Sequence, residues 1–133
     1  MRIVVDTNVI VSALVFGGVP RQVLDLALTG VCSLYFSKPI QAEVERILKE
    51  KFGWSREEIH ARARTIWNLG TEVSPQVSLA VITNDPDDDR VLECAVAAEA
   101  NAIISGDGHL LRLVSFQSIP ILSPRQFFDR LVR

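Results

Sequence analysis

A strongly basic charge balance is missing from this chain. Lys and Arg number 14 against 16 Asp and Glu, for a formal net charge of −2. That excludes a general polyanion binder held by its overall field, so contact with a nucleic acid must come from a local patch or through a metal. Cysteine is scarce as well. Cys32 and Cys94 are too few for a disulfide framework, and each lies in apolar surroundings that suit a small core residue. The hydrophobic start behind Arg2 is interrupted by Asp6 and Asn8, so it reads neither as a signal peptide nor as a membrane span. A soluble cytoplasmic protein is the expectation. No internal repeat, low-complexity segment or compositional break divides the chain, and no Cys/His set fits zinc.

What is present is an ordinary globular mixture. The chain has 133 residues, 48% of them hydrophobic and 23% charged, enough for one domain over residues 1–133 with a full core. Ile3-Val4-Val5 is a short β-branched run that reads as a buried strand. Val9, Ile10, Ala13 and Phe16 then recur at helical spacing from a start near Asn8. Gly17-Gly18-Val19-Pro20 marks a turn, with Pro20 placed as the first residue of a second helix that runs to Gly30. Val31 to Phe36 is a second strand, and Pro39 to Phe52 a third helix with Ile40, Val44, Ile47 and Leu48 as its stripe. Glu43 sits at the edge of that stripe.

Beyond Gly53, Ser55-Arg56-Glu57-Glu58 has capping-box form and opens a helix to about Leu69. Arg56, His60, Arg62 and Arg64 make one side of it basic, either a solvated face or a rim for phosphates. Trp54 and Trp67 suit the core or a dimer contact. Glu72-Val73 and Leu79 to Ile82 are both candidate strand pieces, and the pattern does not decide which one pairs. Asp85-Pro86-Asp87-Asp88-Asp89 leads into a helix with Val91, Leu92, Ala95, Val96 and Ala98 as apolar positions. Ala102 to Ser105 is a further buried strand and runs into Gly106-Asp107-Gly108-His109. His60 and His109 read as surface residues. Ile119 to Leu122 is a last strand, placed at an edge by Pro120, and Ser123-Pro124 opens a final helix. The alternation predicts an α/β domain with a mainly parallel sheet.

The acids carry the chemistry. Two strands end in Asp, and parallel crossovers bring such ends to one rim, where ligands bind in open α/β sheets. Asp6 alone also fits a helix N-cap. Asp107 in the equivalent place favours a shared pocket with Asp6, and Asp88 starts a helix nearby. One acid at a helix start complements the dipole, but several together require a counter-charge. Oxygen ligands of this kind suit Mg²⁺ or Mn²⁺, and such an ion serves phosphodiester cleavage, singly or as a pair.

Val4-Val5-Asp6-Thr7-Asn8-Val9-Ile10, then Glu43, then Asp85-Pro86-Asp87-Asp88-Asp89 with Leu92-Glu93-Cys94-Ala95, then Ile103-Ile104-Ser105-Gly106-Asp107 with Leu110-Leu111 resembles the PIN domain. Within that family it is most similar to the toxin component of toxin–antitoxin systems (VapC-like). The resemblance implies a three-layer α/β/α sandwich with a mainly parallel five-stranded sheet of order 3-2-1-4-5. It also implies a Mg²⁺- or Mn²⁺-dependent ribonuclease, a homodimer, an RNA substrate and a cognate antitoxin. Carried over, Asp6, Glu43, Asp88 and Asp107 are the catalytic and metal-holding acids. Asp89 stays open as the alternative to Asp88, and Glu93 as a further carboxylate. Asn8 and Ser105 support the carboxylates. His109 stands where the family often has Lys or Arg. The competing reading is a PIN-like module that binds RNA or protein without cutting. A phosphatase or receiver site does not fit, because Asp6-Thr7-Asn8 is not Asp-x-Asp and no suitably placed Lys follows a later strand.

Overall fold

A β-branched run with no polar interruption has to be covered on both faces. Arg2–Val5 forms the first strand, β1, in which Ile3, Val4 and Val5 are fully buried. Successive strand residues point to opposite faces, so layers lie on both sides of the sheet, and each side chain contributes roughly 1.5–3 kcal/mol by burial. The computed structural model describes residues 1–81 and 86–131. Ile82, which closes one of the stretches singled out above, and Asp85, which opens another, lie outside the described residues.

From Asp6 the chain turns into α1 (Thr7–Val15), and Gly17, at φ 77°, then redirects it into α2 (Gly18–Leu28) at 100° to α1. That φ lies in the left-handed region glycine adopts freely. The helix begins at Gly18, so Pro20 is its third residue and not its first. Strand β2 covers Ser33–Phe36, two residues shorter at its start than the apolar run, and α3 covers Lys38–Phe52 with Pro39 in its first turn. Gly53, at φ 66°, ends α3 in a left-handed cap. The capping box is realised: Ser55 Oγ accepts from the Glu58 N–H, and Glu58 Oε1 from the Ser55 N–H, both at 3.1 Å. It starts α4 (Arg56–Leu69).

Of the two candidate strand pieces the first one pairs. Thr71–Glu72 is β3, parallel to β2, whereas Leu79 to Val81 has no strand assignment. Helix α5 (Pro86–Ala98) leads to β4 (Ala102–Ile104), a short α6 (Gly108–Leu111), β5 (Ser115–Phe116), β6 (Ile119–Leu122) and α7 (Pro124–Leu131).

Among the described residues the sheet has six strands in the order β3-β2-β1-β4-β6-β5. The first five in that order pair in parallel, as the expected 3-2-1-4-5 arrangement requires, and the sixth is an addition. β5 lies antiparallel on β6, so the Ile119–Leu122 strand is flanked on both sides and is not an edge. Pro120 is tolerated there because its missing N–H precedes the first residue of the β4 ladder, Ile121 opposite Ile103. With helices on both sides, the architecture is an α/β/α sandwich. Among the described residues no single helix is long and apolar enough to cross a membrane.

Candidate metal centre

β1 and β4 are parallel neighbours, so both deliver their following residue to the same rim. The Asp6 N–H donates to the Ile104 carbonyl at 2.8 Å, which locks the start of α1 to the end of β4. Asp6 is the N-cap of α1: its Oδ1 accepts from the Asn8 N–H at 3.3 Å. Its other oxygen, Oδ2, accepts from Ser105 Oγ at 2.7 Å, and Ser105 Oγ in turn accepts from the Asp107 N–H at 3.0 Å. One buried hydroxyl thus joins the two corners. Asp107 caps α6, its Oδ1 taking the N–H groups of His109 at 2.7 Å and Leu110 at 3.3 Å. Asp6 is thus a helix cap and a pocket residue at once, while Asp107 is a helix cap tied to it through the Ser105 hydroxyl. Asn8 serves Asp6 through its backbone, while its exposed side chain lines the pocket.

The pocket itself measures about 220 Å³ and is lined by Asp6, Thr7 and Asn8, by Glu43, Arg46, Ile47 and Lys51 of α3, and by Asp87 and Asp88 of α5. Asp6 is 3% exposed and Asp88 5%, so two carboxylates are almost removed from bulk water within one cavity. Asp88 also belongs to a second grouping, in which single ligand atoms of Asp88, Asp107 and His109 all lie within 4.8 Å of one another. Asp88 is thus the side chain that links the Asp6–Glu43 side of the site to the Asp107 side. Glu43 faces the cavity with its charge already engaged: Arg46 forms a two-pronged pair with it, Nε to Oε2 at 3.1 Å and Nη2 to Oε1, and also reaches Glu50 Oε2 at 2.7 Å. The two carboxylates, Glu43 first, raise the Arg46 guanidinium further above its ordinary range.

The remaining acids of α5 turn elsewhere. Asp89 Oδ1 accepts from the Val81 N–H at 2.9 Å and Glu93 Oε2 from the Leu79 N–H at 2.7 Å, with Arg90 Nε 2.9 Å from Glu93 Oε1. Adjacent helical residues point about 100° apart, so Asp88 enters the pocket while Asp89 and Glu93 fasten the incoming segment to the helix. Neither of those two lines the acidic pocket.

The basic side of α4 is likewise separate. Arg56 and His60 line a groove of about 610 Å³ between α3 and α4, together with Trp54, whose ring lies 5.0 Å from the Arg62 guanidinium carbon. Arg46 alone borders both spaces. Trp67 packs on Phe36 with ring centres 5.0 Å apart. Both cysteines are buried, and burial pushes the Cys94 thiol up to about 12, the Ser37 hydroxyl opposing the shift more weakly.

Among the residues of the site that the sequence reading did not single out are Arg46, Lys51, Asp87 and His109. Arg46 had a usable signal, since it stands three positions after Glu43 and neighbours it on the helix. His109 had another: Asp-Gly-His at the end of a strand, where an aspartate cap folds the second residue back over itself. The donor set suits a divalent cation, being mainly carboxylate oxygen with one imidazole. Compared with known families, residues 2–109 match the family model described as PIN domain, which covers most of the chain and every residue of the two acidic groupings. No curated protein matches the chain.

Proposed function

This chain belongs to the PIN domain family, whose members are typically metal-dependent nucleases, and on that premise we propose that it is a Mg²⁺- or Mn²⁺-dependent endoribonuclease and the toxin of a toxin–antitoxin pair. The observation that carries the nuclease reading is the convergence of Asp6, Glu43 and Asp88 on one cavity, with Asp107 joined to Asp6 through Ser105. Asp6, Asp88 and Asp107 would hold the ion, with Glu43 beside them. A divalent ion in such a site polarises a phosphoryl oxygen and acidifies a water at neutral pH.

The chain's own residues do the rest. Ser105 Oγ and the Asn8 N–H hold the two oxygens of Asp6 in one orientation, so the carboxylate needs no reorganisation when the site fills. Arg46 holds Glu43 and supplies counter-charge at the pocket wall. Lys51 lines the same wall with an ammonium group, chemistry that suits a phosphodiester. Basic charge elsewhere is modest and the chain is acidic overall, −2, which favours a short single-stranded or looped RNA segment over a long duplex. The toxin role, the homodimer and the antitoxin partner rest on the likeness of motif order to VapC-like proteins.

The test is cleavage of a mixed RNA pool by the purified protein, with sequencing of the cut ends. Cleavage should need Mg²⁺ or Mn²⁺, stop with EDTA and be lost in Asp6→Asn with folding intact. Cutting by Asp6→Asn at the wild-type rate would overturn the reading.

A further inference from the structure

The acidic rim carries one side chain that its carboxylates do not account for. His109 is the first residue after Gly108 in the Asp107 cap, and 43% of its side chain is exposed. Freedom of that order allows the ring to project into water. Instead its Nδ1 lies 3.6 Å from Asp107 Oδ1 and 3.9 Å from Asp88 Oδ2. The two carboxylates come from different elements, the start of α5 and the start of α6, so the ring is placed where they meet and is not simply folded onto its own turn. Two ligands on one ion with bonds of about 2.1 Å lie no more than about 4.2 Å apart. Both His109 separations fall inside that limit, and ligand atoms of all three side chains lie within 4.8 Å of one another, the span over which one ion can gather them.

We propose that His109 contributes a nitrogen donor to the acidic site and thereby sets its preference for Mn²⁺ over Mg²⁺. The inference rests on the reading of this pocket as a divalent-cation site and adds to it the residue that discriminates between ions. Carboxylate oxygens from Asp6, Asp88 and Asp107 suit both ions. Imidazole suits the transition metals, whose affinity for nitrogen rises along the first row, whereas Mg²⁺ favours oxygen and gives up water reluctantly. A neutral imidazole also adds a donor without adding to the negative charge of the cluster. The exposed edge of the ring leaves the site open on that side for substrate.

The test is calorimetric titration of the wild type, His109→Ala and His109→Gln with MgCl₂ and MnCl₂ separately, with electron spin echo spectroscopy of the Mn²⁺ complex to detect a directly bonded imidazole nitrogen. The wild type should bind Mn²⁺ at least tenfold more tightly than Mg²⁺ and show the nitrogen coupling. Both variants should lose the coupling and weaken Mn²⁺ about tenfold, with Mg²⁺ affinity within twofold of the wild type. Mn²⁺ binding without a nitrogen coupling in the wild type overturns the role of His109 and leaves the carboxylate site standing. Failure of the wild type to bind either ion overturns both. The spectrum of the wild type needs no variant, so a variant that misfolds does not rescue the proposal.

Discussion

At the β1–α1 corner Asp6 is 3% exposed, while at the β4–α6 corner the Asp107 side chain is 24% exposed. The local construction is the same: a buried apolar strand, an aspartate, and a helix whose first N–H groups that aspartate caps. What differs is the helix behind it. α1 has nine residues and is packed by α2 and α3, whereas α6 has four and one buried side chain, Leu110. Cap chemistry decides where a carboxylate points, and the mass of packed chain behind it decides how far it leaves water. Asp6 is therefore the fixed member of the site and Asp107 the adjustable one, with the Ser105 hydroxyl as the link between them.

The sharpest way to break that ranking is to neutralise each acid while keeping its cap, since Asn caps helices about as well as Asp. Asp6→Asn should reduce RNA cleavage by roughly a hundred- to a thousandfold, the loss typical of one preorganised electrostatic group, with the fold retained by circular dichroism. Asp107→Asn should cost less, about ten- to a hundredfold in Mn²⁺ affinity measured by calorimetry. A larger defect at Asp107 than at Asp6 would reverse the assignment of fixed and adjustable members. Cutting the link itself, Ser105→Ala should lower stability by about 1.5–3 kcal/mol in urea denaturation, because the hydrogen bond is buried and made to a carboxylate, and should weaken Mn²⁺ at the same time.

Helix α5 offers the same contrast on a smaller scale, between Asp88 in the pocket and Asp89 on the Val81 N–H. Asp89→Ala should destabilise by about 1–3 kcal/mol by leaving that N–H without its carboxylate, and Mn²⁺ affinity should stay within twofold. Loss of metal binding in a folded Asp89→Ala protein would move the ligand to Asp89. The smallest expected effect lies away from both corners. Burial lifts the Cys94 thiol from 9.0 to about 12, so iodoacetamide at pH 8 should label it only on unfolding. A folded-state value raised in this way gives stability that is complete below the unfolded thiol's value and fades as pH rises towards about 12. Stability falling between pH 7 and 8 would place its cause elsewhere.

Much of this was open to sequence reasoning wherever period and position agreed. Ile3-Val4-Val5 before Asp6, and Ala102-Ile103-Ile104 before Ser105, announce two interior strands. Their acidic ends follow from the rule that parallel strands share a ligand-binding rim. The β5–β6 hairpin was hidden because its turn uses Gln117 and Ser118 at φ 49° and 68°. Turns with both central residues in that region usually advertise themselves with Asn-Gly, and without the signal Ile119–Leu122 passed for an edge. The division of labour along α5 was hidden for another reason. A run of acids shows charge but not azimuth, and only the packed helix reveals which carboxylate shares a pocket with Glu43 and which holds the Val81 N–H. His109 reads as a surface residue and is exposed, but nothing in the spacing reveals that Asp88 comes within 3.9 Å of its ring.

The central claim is that separate segments bring their carboxylates to one cation. Anomalous diffraction at the manganese edge from crystals soaked in MnCl₂ tests it most directly. The account predicts a peak bounded by Asp6, Asp88 and Asp107, with His109 beside it. A saturated soak in which no manganese lies among those side chains would contradict it.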